Sequence, residues 1–295
     1  MIDAAILAAI EARIVRATAF PSSGLRRFEA AGTALGLVDD ARAARLARFG
    51  CFDVTPEAVV LDSGLATAQA RSAAIADVAA TLRSEGALPA WRDELYTVAP
   101  QFDAPPLFRI ERGAARYFGV RTYAAHVNGI VRDGDETRMW IARRSLQKAV
   151  DPGLLDNLVG GGIAAGMRVD ETVAKEAWEE AGIDATRAGA ARPVGVVHAV
   201  RTMFDGLQRE TLYVHDLALP PTFVPRNQDG EAVEHRLVSL DEAARIVATS
   251  GGDDEATLDA SLVILDYLVR HGAIRPDQPR YAALVGLLRP SFGVT

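Results

Sequence analysis

The spacing of apolar residues changes partway along the chain. Over the first hundred residues the period is helical. "IDAAILAAIEARIVRAT" places Ile6, Ile10, Ile14 and Ala17 on one stripe. "DARAARLARFG" ends on Gly50 and "LATAQARSAAIADVAATLRSEG" ends on Gly86, so both read as helices with a glycine stop. "WRDELYTVA" follows Pro89 and opens a new unit. Near residue 107 the pattern turns to alternation. Residues 123–131 and 138–142 read as two strands around the turn signal "DGDE", a hairpin. A glycine-rich stretch then leads into a helix over 171–181. "RPVGVVHAVRTMF" and "ETLYVHDLAL" form two more strands around "DGLQ", and "VEHRLVSL" is a further strand. "DEAARIVATS" and "TLDASLVILDYLVRHG" are helices, the latter with Leu258, Leu262, Leu265 and Leu268 at helical spacing.

The order is helices, a mixed β/α core, then helices, which predicts an α+β protein. The core does not alternate βαβ, so a doubly wound sheet is not expected. A length of 295 residues accommodates two compact domains. The expected division is a mainly helical N-terminal domain over 1–117, the mixed core over 118–250, and a helical extension over 251–295 packed on that core.

Composition narrows the function classes. A formal charge of −7 opposes non-specific nucleic-acid binding, and no basic helix-turn-helix is visible, so no nucleic-acid partner is expected. The single cysteine, Cys51, excludes an intrachain disulfide and a cysteine zinc cluster; a buried structural thiol is expected. "MIDAAILAAIEARIVRATAF" lacks a basic leading region and reads as an amphipathic helix rather than a signal peptide. No apolar run reaches the length of a membrane span. The expectation is a cytoplasmic protein without membrane contact.

The candidate chemistry lies in "DNLVGGGIAAGMRVDETVAKEAWEEAGI". On a helix Glu176, Glu179 and Glu180 stand at i, i+3 and i+4 and share a face. Like charges there repel by a few tenths of a kcal/mol per pair (~0.3), and a divalent cation reverses the sign. A bare pattern of this kind is more often a solvated helix face. The surrounding frame adds weight: Gly161, a loop through Gly166, then "KEAWEEAGI" with Gly182 closing the helix.

This frame resembles the Nudix hydrolase signature: Gly, five residues, Glu, seven residues, then Arg-Glu-aliphatic-any-Glu-Glu-any-Gly-aliphatic. Gly161, Glu176, Glu179, Glu180, Gly182 and Ile183 match. Met167 stands at the first Glu and Lys175 at the Arg, a pair that commonly braces the loop against the helix in the family. "WRDELY", "FGVRTYAAHVNGIV", "MWIARRSLQK" and "DPGLLDNLVGGGIAAG" extend the resemblance to a Nudix branch related to the domain fused to thiamine pyrophosphokinase in some fungi. That branch carries an N-terminal domain of uncharacterised type and shares both substitutions.

The resemblance implies an α/β/α sandwich with a mixed sheet and an enzyme that hydrolyses a small-molecule diphosphate with Mg2+ or Mn2+. Thiamine diphosphate or a damaged analogue is one substrate it implies; ADP-ribose or a nucleoside diphosphate sugar is another. A catalytically weak module that binds a phosphorylated ligand is a third reading. Glu176, Glu179 and Glu180 would be metal ligands. Glu231 and Glu234, ahead of the late strand, are candidates for the base. Arg143, Arg144 and Lys148 are candidate phosphate contacts, although strand alternation turns Arg143 and Arg144 to opposite faces. Gly161, Gly162 and Asn128 complete the expected substrate contacts.

Trp91, Tyr96, Trp140 and Phe204 are available for stacking, though core positions are commoner for aromatics, and Trp178 is expected to pack on the sheet. His126 and Asn128 face the same way on their strand. His126, His198 and His215 read as structural, and no histidine pair has zinc spacing. The N-terminal region can cover the pocket, mediate a homodimer, or do both.

Overall fold

The computed structural model describes residues 2–19, 21 and 23–290. The N-terminal region contains α1 (Ala4–Ala17), β1 (Leu25–Ala30), β2 (Thr33–Asp39), α2 (Asp40–Leu46), β3 (Phe52–Val54), β4 (Ala58–Leu61), α3 (Ala68–Ser84), β5 (Leu95–Val98), β6 (Phe108–Glu111) and α4 (Arg112–Ala115). Then come β7 (Thr122–Asp133), β8 (Glu136–Arg144), β9 (Leu155–Asn157), β10 (Val159–Gly162), α5 (Val169–Ala181), α6 (Ala185–Ala188), β11 (Arg192–Met203), β12 (Gly206–Leu219) and β13 (Ala232–Ser239). The chain closes on α7 (Leu240–Ala248), α8 (Leu258–Arg270) and α9 (Tyr281–Leu287). The last five residues of the expected C-terminal extension, 291–295, lie outside the described residues.

The main sheet has the order β11-β12-β7-β8-β13, with β10 paired to β7 and β9 to β8. It is mixed: β7 runs parallel to β12 and antiparallel to β8. Strand β7 is buried on both faces, and its alternation divides the core. Ala125, Val127 and Val131 pack with Val173, Ala177 and Ala181 of α5. Ala124 and Ile130 belong to the opposite layer with Leu262, Leu265 and Leu268 of α8. The result is helix, sheet, helix.

The N-terminal helices are joined by a four-stranded sheet, order β2-β1-β4-β3, which the periodicity did not reveal. Its strands have three to seven residues, too short to establish a period of two in an Ala-rich background. Phe28, Phe52, Phe108 and Phe118 form the aromatic centre of this region's core. Cys51 is half-buried beside it rather than fully buried.

Helix α1 does not join that core, which corrects 1–117 as one spatial unit. Its Leu7, Ile10 and Ile14 pack with Ala244, Val247, Leu262 and Leu284 from the C-terminal helices. An amphipathic stripe specifies an apolar partner but not which one. Arg13 fixes the placement. Its buried guanidinium donates to Val247 O at 3.1 Å, to Ser261 Oγ at 2.6 Å and to Ala256 O. Glu255 lies 3.8 Å away. Burial pulls the Arg13 pKa down, and Glu255 opposes the pull.

The N-terminal sheet meets the main sheet through a second buried arginine, Arg209 on β12, which donates to Leu35 O at 3.3 Å and Gly119 O at 2.9 Å. Arg116 also pairs with the buried Asp205 at 2.5 Å.

Removing the Arg13 guanidinium leaves a buried hydroxyl and two buried carbonyls without this donor. Arg13→Ala is expected to destabilise the protein by about 3 kcal/mol in urea unfolding. A change within about 0.5 kcal/mol, typical of a surface site, would refute the anchoring role.

Candidate active site

Helix α5 begins after Arg168, whose backbone N–H donates to Glu171 at 2.9 Å, and ends on Gly182 in a left-handed conformation. It presents Glu176, Glu179 and Glu180 to the glycine-rich strand β10. Glu180 is buried, and one of its oxygens accepts from Gly160 N at 2.8 Å. A Cβ at Gly161 would lie 2.3 Å from the Glu176 carboxyl carbon. A Cβ at Gly162 would lie 1.8 Å from the Tyr96 hydroxyl oxygen, and one at Gly160 would lie 2.8 Å from the His126 ring. Each of the three glycines therefore makes room for a different side chain. A methyl group at Gly161 would strike the helix carboxylate itself.

Burial pushes the Glu180 pKa up to about 8, against the pull of the Lys148 ammonium 4.0 Å away. Burial also raises Glu176. Lys175 bridges Glu179 at 2.6 Å and Glu176 at 3.0 Å. Burial pulls Lys175 down, but those hydrogen bonds hold its ammonium above the ordinary lysine value. Among the described residues no three histidine, cysteine or carboxylate side chains already converge as a metal cage. The Lys175 ammonium occupies the space between the two more accessible carboxylates.

These groups border a cavity of about 350 Å³. Segment 226–231 brings its rim onto the end of α5: Arg226 N donates to Ala181 O at 2.9 Å and Gln228 N to Glu179 O at 2.7 Å. Glu231 then reaches the cavity and pairs with Lys148. Arg144 lines the cavity and is held by Asp156 at 2.7 Å and by the carbonyls of Val150 and Asp151.

Three expected residues lie elsewhere. Arg143 faces away from the cavity and is bound to Glu234 at 2.7 Å and to Asp253 O at 2.6 Å. Glu234 is thereby the partner of an arginine on the far side of the β8–β13 ladder, not a base at the cavity. Asn128 is fully buried and donates to Asp216 at 3.0 Å. Asp216 in turn holds Arg270 and His271 of the closing helix region, so Asn128 belongs to a structural network. His126 shares its strand face but lines the cavity, with Nδ1 2.8 Å from Asn157 Oδ1.

Of the aromatics, Tyr96 alone borders this cavity; Trp140 is in the core and Phe204 is exposed. Trp178 does not cover the sheet: it is 52% exposed and borders a separate groove with Phe223. His198 contacts Thr211 at 3.2 Å and His215 contacts the Tyr213 carbonyl at 3.2 Å.

Sequence reasoning missed a whole wall. Arg92, Glu94, Tyr96, Arg112 and Arg116 line the cavity from the N-terminal region. Arg112 pairs with Glu94 at 2.8 Å and lies over the Tyr96 ring, 5.5 Å from its centroid. Burial raises the Tyr96 pKa, so the phenol stays protonated. These residues are distant in sequence from the acidic helix; Tyr96 is a stacking candidate and "WRDELY" shares in the resemblance, but nothing local assigns Arg92, Glu94, Arg112 or Arg116 to the site. Glu210 and Asp259 form a deeper acidic wall, bridged by the Gln208 amide. Burial first, and then Glu210, push Asp259 up to about 6.

The glycine loop is tied to the same N-terminal wall: Ala165 N donates to Leu95 O at 2.7 Å. Met167 cannot pair with Lys175. The loop is held instead by this bond, by Ile163 N to Tyr123 O at 2.8 Å, and by Met167 N to Ala164 O at 3.0 Å.

Comparison with known proteins finds two family models along the chain. A family model described as a domain of unknown function, DUF4743, matches residues 7–122, and the NUDIX domain model matches residues 122–258. The chain is 43% identical to Nudix hydrolase 24, chloroplastic, of Arabidopsis thaliana, over 78% of this chain and 62% of that protein. It is 39% identical to Nudix hydrolase 20, chloroplastic, of the same plant, over 81% of this chain and 63% of that one. The chain thus spans somewhat less than two thirds of the length of these relatives. Among solved structures, the MutT protein from Methanosarcina mazei Go1 covers 52% of this chain and 96% of its own, with 18% identity and a TM-score of 0.40. Residues 122–258 of this chain thus match the NUDIX domain model, and the relatives that share its N-terminal part are Nudix hydrolases.

Proposed function

We propose that this protein is a divalent-metal-dependent hydrolase that splits the diphosphate linkage of a small molecule and releases a monophosphate. The observation that carries the reading is the packing of Glu176 and Glu180 against Gly161 and Gly160, which fixes a half-buried and a buried carboxylate beside the cavity. The donor set suits Mg2+ or Mn2+, hard cations that prefer carboxylate oxygen. The cavity is lined by nine carboxylates against six basic side chains, an imbalance that a bound cation reduces. Glu176, Glu179 and Glu180 would hold the metal. When bound, it would neutralise phosphoryl oxygens and make water acidic enough to act at neutral pH.

The chain's own residues have separable tasks. Lys148 and Arg144 offer positive charge to phosphoryl oxygens, and their pairing with Glu231 and Asp156 fixes their positions. Glu231, at the rim, is placed to accept a proton from water as the phosphorus is attacked. Glu180 gains from a nearby cation, because burial otherwise disfavours its charged form. Tyr96 keeps its proton and abuts the glycine strand, so it can orient substrate as a donor without taking charge.

Thiamine diphosphate and its oxidised analogues are the substrates we propose first, with ADP-ribose and nucleoside diphosphate sugars as the alternative class. A second cavity of about 420 Å³ shares Tyr96 and Thr122 with the first and is lined by Phe102 and Tyr123, which gives a heteroaromatic ring a place beside the phosphate site. A catalytically weak binding module is the second functional reading, favoured by one observation: Lys175 already neutralises Glu176 and Glu179.

A panel of thiamine diphosphate, its oxidised analogues, ADP-ribose and NADH, assayed with Mg2+ for phosphate-ester products, separates these readings. Turnover of at least one compound is expected. Binding of one with turnover of none would select the binding module. In the active assay, Glu179→Gln and Glu180→Gln should each lower kcat by at least about a hundredfold, about 2.7 kcal/mol of barrier, with circular dichroism unchanged. Full turnover by both variants would remove these carboxylates from the metal site.

A further inference from the structure

Five of the six basic side chains on the cavity wall are committed to carboxylates. Arg112 is paired with Glu94, Arg116 with Asp205, Arg144 with Asp156, Lys148 with Glu231, and Lys175 with Glu179. The sixth, Arg92, differs. Among the described residues its guanidinium has neither an ion pair nor a hydrogen bond; its one hydrogen bond is made by the backbone N–H, to Glu111 Oε1 at 2.8 Å.

The backbone that carries Arg92 is held on both sides. The same Glu111 oxygen accepts from Gly113 N at 3.3 Å, and Glu111 is itself buried. The next residue, Asp93, is a non-glycine residue with φ of +57°, a left-handed conformation. Such a conformation persists only where its surroundings over-determine it. Here Trp91 Nε1 donates to Asp93 Oδ1 at 2.6 Å, and the Arg83 guanidinium covers the Trp91 ring at 4.4 Å. The segment is rigid and strained, yet it ends in a cationic fork that faces the cavity without a partner. Partial burial lowers the Arg92 pKa and the charges of Arg112 and Arg144 lower it further, while Glu94 and Tyr96 oppose them. An anion in the cavity would offset the repulsion from Arg112 and Arg144.

We infer that Arg92 is the anion-binding residue by which the N-terminal region grips a phosphoryl group of the substrate. The inference rests on the diphosphate reading for the ligand class. A guanidinium is suited to the task because its planar donors meet two phosphoryl oxygens in one geometry. The N-terminal region thereby determines affinity, while α5 holds the reacting end. The domain of unknown function is in this account half of the substrate site.

Imidodiphosphate, which resists hydrolysis, tests this by titration calorimetry on the full chain with Mg2+ present. Arg92→Gln should weaken binding about tenfold, the loss of one charge-assisted contact. Arg92→Lys should recover part of the loss. The decline of affinity with added NaCl should be shallower in Arg92→Gln, since one charge contact is gone. The melting temperature of the ligand-free protein should not fall, because the guanidinium holds nothing in the fold. Wild-type affinity in Arg92→Gln would overturn the inference, as would a wild-type protein that does not bind imidodiphosphate. The two readings fail separately. Unchanged imidodiphosphate affinity in Arg92→Gln, with turnover lost in Glu179→Gln, removes the anion grip and leaves the hydrolase. A tenfold loss of binding in Arg92→Gln, with a wild type that turns over nothing, does the reverse.

Discussion

The site depends on a glycine strand whose Cβ positions are filled by side chains from three other elements, one of them the acidic helix. Gly160, Gly161 and Gly162 give up their Cβ positions to His126, Glu176 and Tyr96. The Gly160 amide then holds Glu180, and the buried carboxylates have little water to stabilise their charge. Lysines serve instead: Lys175 across Glu176 and Glu179, and Lys148 toward Glu180. A divalent cation would compete with these ammonium groups for the same oxygens. In the proposed reading, metal affinity would depend on how readily Lys175 swings away.

The second constraint comes from the N-terminal region. It contributes Arg92, Glu94, Tyr96 and Arg112 to the cavity and ties down the glycine loop through the hydrogen bond that Ala165 N donates to Leu95 O. That bond takes over a task for which the usual Glu and Arg of the Nudix signature are absent here, where Met167 and Lys175 stand. The loop is held here by backbone bonds, with Met167 and Lys175 at the positions where the resemblance puts the bracing pair. Arg13 and Arg209 are buried at the contacts between parts of the chain, and each satisfies backbone carbonyls with a charged fork.

Much of the central fold was legible in the sequence because its periods are long. Strands β7 and β8, the helix α5 and the closing helix α8 each sustain one period over many residues. The N-terminal sheet was not legible, since its strands are short, nor was the destination of α1, since an apolar stripe names no partner. In the site, alternation along β8 allowed only one of Arg143 and Arg144 to face inward without saying which. The structure places Arg144 there and gives Arg143 to Glu234. Glu231 lies just ahead of β13 and Glu234 within it, and the register of β13 against β8 sets Glu234 opposite Arg143. Arg92 lies in the segment "WRDELY" that shares in the resemblance, but neither it nor Arg112 carried a local signal of a place in the site, because that place comes from the packing of the N-terminal region on the main sheet.

The central claim is that Glu176, Glu179 and Glu180 together form a cation site. Titration of Mn2+ followed by electron paramagnetic resonance, without substrate, measures it directly. The account predicts saturable binding by the wild type and a loss of affinity of at least about tenfold in Glu179→Gln and in Glu180→Gln, equivalent to about 1.4 kcal/mol. Wild-type Mn2+ affinity in both variants would contradict it.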